Sequence, residues 1–323
     1  MIKTETSRRA VLRAIAASSA LALAPSLSVA AETPLRLGTS TPGGGFTLYG
    51  ETLAQAANAQ AGETLVSPVG TSGTAENLRL LAEGRLDLAL IQGTAASQAL
   101  TAEDASGLRI VFAMYPSPGM LAVPRDSPAR RFEDLKGLPV VFGVRASGLV
   151  LLARQVFGAI GLDVDRDFQA VYVGQAAESP ERVIDGEAAG LWGAGEGWPG
   201  FARLAASPRG ARFFGPLPEQ IPRILAAHPF LTAMAAPAGA YPGLDADLPT
   251  VGSWNLILGR SDLAAERVRR FADAVHAAAK ELAAALPQAA MTTAARTAEA
   301  APAAALIHPG TAGLLRDLKL LPG

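Results

Sequence analysis

The chain has 323 residues, half of them hydrophobic and 18% charged, with 33 Gly, 23 Pro and no Cys. A single core stops growing before that length, so two compact domains are expected. The lack of cysteine removes disulfides, thiolate nucleophiles, Cys-ligated zinc, iron–sulfur clusters and a lipobox lipid anchor. A formal net charge of −1 leaves no electrostatic footprint for nucleic acid. Three scattered histidines (His228, His276, His308) make a poor metal set. The expected molecule is monomeric, with no cofactor and no metal.

Residues 1–31 read as a cleaved export signal. Arg8, Arg9 and Arg13 form a basic start, Ala14–Ala24 is a short apolar run, and Ser28–Ala31 offers small residues for cleavage. Ser7–Leu12 is twin-arginine-like, with Val11 where Phe is usual; an ordinary secretory signal is the alternative. The run is shorter than the ~20 apolar residues a membrane span needs. Export implies a periplasmic location.

From Leu35 onward, short apolar runs alternate with helical patterns. Leu35–Gly38, Leu65–Pro68, Asp87–Gln92 and Leu108–Tyr115 read as strands, with helices from Phe46 and over Thr74–Glu83. A second series has strands at Pro139–Gly143, Ala170–Gly174, Ala189–Gly193 and Ala211–Gly215. Helices at Ser147–Ala159, Ser179–Asp185, Trp198–Ala206 and Pro218–His228 accompany them. After Leu231–Ala235 the Pro/Gly-rich stretch Ala236–Pro249 interrupts the pattern, and Thr250–Leu258 returns as a strand. Val268, Phe271, Val275, Ala279, Leu282 and Leu286 then form one apolar helical face. The alanine-rich end reads as packed helices, since Ala is the best helix former.

Such alternation implies α/β architecture, with right-handed βαβ units and mainly parallel sheets flanked by helices. Two series make two lobes, residues 32–119 with 236–323 and residues 120–235, with the chain crossing a hinge twice. Ligands of open α/β sheets bind beyond the carboxyl ends of the strands, which nominates the loops there.

Gly38–Phe46 joins strand to helix through three consecutive glycines, where backbone N–H groups can approach an anion. It lacks the Gly-Lys-Ser/Thr ending of a phosphate loop and the spacing of a dinucleotide fingerprint; a ligand-free turn is the alternative. Gly70–Leu78 repeats the chemistry. Thr74 there is a candidate helix cap, with Asn77 at the third helical position, and Thr71, Ser72 and Gly73 cluster beside it. Gln92 closes its strand as a ligand contact or a satisfied edge glutamine. In Gly143–Gly148, Arg145 is a candidate carboxylate fork and Ser147 a cap or ligand donor; an unpartnered surface arginine is the alternative. Trp192 is either a cleft wall or core packing.

No nucleophile–base–acid set can be assembled. No serine sits in a G-x-S-x-G turn after a strand. His228 and His308 each precede a proline, which looks structural, and Glu103/Asp104 and Asp163/Asp165 lie in polar connections. The chain is therefore not expected to be an enzyme.

Taken together, the loops resemble a known family. Gly38–Gly50 is similar to the first loop, roughly GTGSxGGTYYPxG, of the TAXI family of extracytoplasmic solute receptors, the binding components of one branch of TRAP transporters. Thr71–Leu81 is similar to that family's TGGSVENLRLL. The segments Asp87–Gln92, Met114–Pro116, Asp134–Gly137, Ala238–Leu258 and His308–Gly310 follow in register. The resemblance implies a two-lobed, type II-like periplasmic binding protein fold. It also implies capture of a small organic carboxylate or amino acid, glutamate-like, and delivery to TRAP membrane permease subunits driven by an ion gradient.

By position it nominates Thr39, Ser40, Phe46, Thr71, Ser72, Gly73, Thr74, Asn77 and Gln92, with Arg145, Ser147 and Trp192 from the second lobe. The family's paired tyrosines fall on Phe46 and Thr47, so Tyr49 would have to supply the phenol. The family's GSGTR-like loop becomes Arg145–Leu149, gaining a charge and losing a hydroxyl. A receptor for a membrane sensor and a binding protein of an ATP-driven transporter are the alternatives.

Overall fold

The computed structural model describes residues 32–102 and 107–322. The export-signal reading and the Glu103/Asp104 pair fall outside those residues. The first series runs β1 (Leu35–Gly38), α1 (Gly45–Ala61), β2 (Val66–Val69), α2 (Thr74–Ala82), β3 (Leu88–Ile91) and α3 (Gly93–Thr101). β1 lies parallel to both β2 and β3. Alternate residues of β3 serve opposite faces, as a strand's period of two requires. Leu88 and Leu90 join a core with Tyr49, Leu53 and Phe271, while Ala89 and Ile91 join one with Leu80, Leu81 and Leu258.

β4 (Leu108–Pro124) runs nine residues past its expected end at Tyr115. It is an almost unbroken apolar run carried through two sheets. Its first part pairs with β10 (Leu248–Arg260), and residues 119–124 pair with β7 (Gly190–Ala194) and β8 (Ala211–Phe214). Pro116 and Pro118, which cannot donate to a ladder, sit next to the change of partner.

The second series comprises β5 (Pro139–Val144), α4 (Gly148–Ala159), β6 (Gln169–Val173), α5 (Glu178–Ile184), β7, α6 (Pro199–Ala205), β8, α7 (Ile221–Ala227) and β9 (Thr232–Ala236). β5 is parallel to β6 and β7. After β10 come α8 (Ala265–Ala277), α9 (Ala279–Ala285), α10 (Ala294–Ala300) and α11 (Pro309–Asp317), so the alanine-rich end is helical. Strand order is β2-β1-β3-β10-β4-β7-β5-β6, with β8 on β4 and β9 on β10. The sheets are mixed rather than mainly parallel, because the strands that cross between lobes enter each sheet antiparallel.

The result is a two-lobed α/β fold with each sheet covered by helices. The second lobe's core is aromatic: Phe132, Phe142, Phe157, Phe168 and Trp192 meet with ring centroids 4.5–6.1 Å apart. Each such side chain contributes roughly 1.5–3 kcal/mol by leaving water. β4 is shared by both sheets, and β10 pairs with β3, β4 and β9 in the first.

Candidate ligand-binding site

The loops at the carboxyl ends of β1, β2 and β3 face those after β5 and β6. Three hydrogen bonds bridge the facing loops. Ala176 N donates to Thr41 Oγ1 (3.0 Å), Ala177 N to Pro42 O (3.2 Å) and Ala75 N to Ala146 O (3.3 Å). Gly43, at φ +75°, permits this approach: a Cβ there would lie 2.8 Å from Ala177 Cα. The facing loops border a cavity of about 80 Å³.

Its wall contains Ser40, Thr41, Phe46, Ser72, Gly73, Thr74 and Gln92 from the first series and Val144, Ser147, Gly148, Leu149, Ser179 and Trp198 from the second. Tyr115, Ser117 and Asn255, on the crossing strands, also line it. Among the described residues, none that lines it is Asp, Glu, Lys, Arg or His.

Three helices start at this cavity with no side-chain bond from the N-cap residue: α1 after Gly44, α2 after Gly73 and α4 after Ser147. In the first turn of α1 Thr47 N donates to Ser40 Oγ (3.1 Å), and in that of α2 Ala75 N is already on Ala146 O, so α4 keeps the freest amides. Uncapped first-turn N–H groups and the helix dipole together favour an anion. Thr74 is not the cap expected of it; its Oγ1 accepts the N–H of Gln92 (3.2 Å). Ser147 holds the N-cap position, yet its side chain makes no capping bond. Gln92 is the side chain that does cap, accepting the amides of Thr94 and Ala95 at the start of α3 and donating to Ser253 Oγ (2.9 Å). Its amide is therefore already engaged.

Ser147 Oγ, Ser179 Oγ and Asn255 Oδ1 are buried without a partner, and all three residues line the cavity. Ser179 is 0% exposed and Asn255 1%. Asn255 Nδ2 donates to Ser117 Oγ (2.5 Å), which fixes its amide plane. Burial, with Tyr49 and Tyr241 nearby, pushes the Tyr115 phenol far above its usual range, so it remains a neutral O–H.

Of the residues nominated from sequence, Ser40, Phe46, Ser72, Gly73, Thr74, Gln92 and Ser147 lie at this wall. Thr39, Thr71 and Asn77 stand behind it as scaffold. Asn77 Nδ2 donates to the carbonyls of Thr39 and Leu90 (both 2.9 Å), Thr71 Oγ1 donates to Asn77 Oδ1 (2.8 Å), and Thr39 Oγ1 donates to Val69 O (3.1 Å). Tyr49 points into the core, its hydroxyl 2.9 Å from Thr292 Oγ1, and Tyr115 brings the phenol instead. Trp192 is core: it is fully buried against Phe132 and Phe157, and its Nε1 donates to Leu149 O.

Arg145 does not line the cavity. Its guanidinium stacks over Tyr172, 3.8 Å from the ring centroid, where it keeps its hydration and gains a cation–π contact. Turned inward, it would be a buried charge with no acidic residue in the wall to pair with.

Sequence reasoning missed Tyr115, Ser117, Ser179, Trp198 and Asn255. For Asn255 the signal was present: an amide inside the apolar strand Thr250–Leu258 needs a reason. Trp198 depends on a distant residue, Tyr241. That hydroxyl donates to Gly195 O (2.8 Å) and accepts Trp198 N (2.6 Å), fixing the turn that sets the indole at the wall.

The model of the NMT1-like family matches residues 37–316. Solved structures share the fold at low identity. A periplasmic transporter is 15% identical over 79% of this chain and 87% of its own, with a TM-score of 0.54. The binding protein component of an ABC phosphonate transporter from Pseudomonas aeruginosa is 16% identical, covering 80% of each chain, at 0.51. The effector-binding domain of QuiR, solved with shikimate, is 13% identical over 77% of this chain and 98% of its own, also at 0.51.

Proposed function

The chain belongs to the NMT1-like family, and from that premise we propose that it is an extracytoplasmic, non-catalytic receptor that captures a small organic anion between its lobes and delivers it to a membrane transporter. The observation that carries this reading is the cavity itself. Three helix starts, that of α4 with its first-turn amides uncapped, and the unpartnered Ser147, Ser179 and Asn255 atoms converge there, with no nucleophile–base pair beside them. Residues 32–119 with 236–323 would move against residues 120–235 about β4 and β10, opening by breaking the three bridging hydrogen bonds.

Binding would be driven by lobe closure. The solute satisfies buried groups that otherwise lack partners, each charge-assisted hydrogen bond contributing about 1.5–3 kcal/mol. Release needs no chemistry, only opening against the transporter.

Two transporter classes are in contention. The fold shared with the binding component of an ABC phosphonate transporter favours an ATP-driven partner. The loop motifs Gly38–Gly50 and Thr71–Leu81 favour a TAXI-type TRAP permease. Co-purification from membranes of a host carrying the neighbouring transport genes separates them: an ATPase subunit supports the first, a large multi-span permease the second.

Receptor function itself is tested by thermal shift and calorimetry against a panel of small carboxylates, sulfonates and phosphonates. Saturable 1:1 binding with a raised Tm is expected, because a ligand of the folded state stabilises by mass action. Turnover of a panel compound, or no binding by any of them, contradicts the proposal.

A further inference from the structure

The cavity wall is neutral in a way that selects for one charge sign. Its formal charge is zero, since no acidic or basic side chain lines it among the described residues. Its field comes chiefly from the positive end of α4, which opens on it uncapped. The first turn of α1 is met by Ser40 Oγ, and that of α2 carries Glu76, whose carboxylate stands behind the wall and accepts Ser72 N (2.7 Å) and Oγ (2.8 Å). Gly73 and Ser147 bring two of those ends together from opposite lobes; a Cβ on Gly73 would lie 3.6 Å from Ser147 Cα.

Such a site stabilises a buried anion and repels a cation. An ammonium group inside it would lose its water and find no carboxylate to pair with, the costly case of a buried unpaired charge. A hydroxyl or carbonyl meets no such penalty. Asn255 Oδ1 and Ser179 Oγ are buried and unpartnered, and the Tyr115 hydroxyl is neutral. These are hydrogen-bond partners for an uncharged polar group.

Building on the receptor reading above, we infer that the solute is a compact organic monoanion that carries a hydroxyl or carbonyl and no ammonium group. Amino acids, glutamate included, are rejected on account of their positive charge. The selectivity resides in the absence of an acid from the wall, and Asn255 is the position where one would restore amino-acid binding.

The test is calorimetry on the full chain with matched pairs differing only in hydroxyl against ammonium: L-lactate and L-alanine, 4-hydroxybutyrate and 4-aminobutyrate, isethionate and taurine, with L-glutamate as a further probe. At least one hydroxy acid should bind, at least 100-fold more tightly than its amino partner and more tightly than glutamate. Asn255→Asp, which keeps the side chain's shape beside Ser117, should narrow that ratio at least tenfold. An amino member or glutamate binding as tightly as the hydroxy acids overturns the inference and leaves the receptor standing. If none of the probes binds, the inference falls; the receptor reading then rests on its broader panel. The wild-type ratio decides even if Asn255→Asp fails to fold.

Discussion

The loop Gly143–Gly148 has two faces with opposite electrostatic characters. Inward, Gly143, Val144 and Ser147 line the cavity with no formal charge. Outward, Arg145 and Ala146 border a surface groove that also includes Arg154, with Arg145 stacked on Tyr172. Thr74, Ser147 and Gly148 border both. Charge is kept where water can solvate it, and the interior relies on oriented dipoles that need no counter-ion. On the proposed reading an anion site need not contain a cation, and Arg145, the nearest arginine in sequence, lies outside the cavity.

The largest effect should come from preventing closure. A Cβ on Gly148 would overlap the Cβ of Gln92 and come within 2.8 Å of its Cγ, and Gln92 is held by its own hydrogen bonds. Gly148→Ala should lower affinity for the identified solute at least 100-fold by calorimetry, with the far-ultraviolet circular dichroism spectrum unchanged. Ser179→Ala, on the inner side, should cost about 10- to 100-fold, the loss of one charge-assisted hydrogen bond. Arg145→Ala, on the outer side, should change affinity less than about threefold. A loss as large as that of Ser179→Ala would put the guanidinium back in the site.

The smallest effect concerns pH. The only ionisable side chain lining the cavity among the described residues is Tyr115, shifted upward, so affinity for a fully ionised anion should be flat between about pH 6 and 8. Stability should not be flat. His308 is buried, and its Nδ1 accepts the N–H of Gly310 (3.2 Å). Burial lowers its pKa below the usual 6.5. Below that value the unfolded chain takes up a proton the folded chain resists, so this contribution is present above about pH 6.5 and lost as pH falls. Melting temperature should drop from pH 7 toward 5.5, and His308→Asn, which keeps a capping acceptor, should flatten that drop.

The same inner and outer distinction explains what could be read from the chain. The alternation of β1 to β3 with their helices was legible, because period-2 and period-3.6 patterns are local. So were the glycine-rich strand ends that border the cavity. The direction of a side chain at a loop was not: Arg145 and Ser147 are two residues apart, yet only Ser147 lines the cavity. Nor was the length of β4, whose two prolines argue against a continuous strand until both sheets are seen to share it. Tyr49 and Tyr115 differ in role only through tertiary neighbours, Thr292 for the first and the cavity for the second.

The account rests on an anion seated among neutral groups between closed lobes. A crystal structure of the protein with its tightest-binding anion tests that directly. The anionic oxygens should lie within hydrogen-bond distance of Ser179 Oγ and the first-turn amides of α4, with the solute enclosed by Tyr115, Trp198 and Asn255. An anion found instead against Arg145 in the outer groove, with the cavity unused, would contradict it.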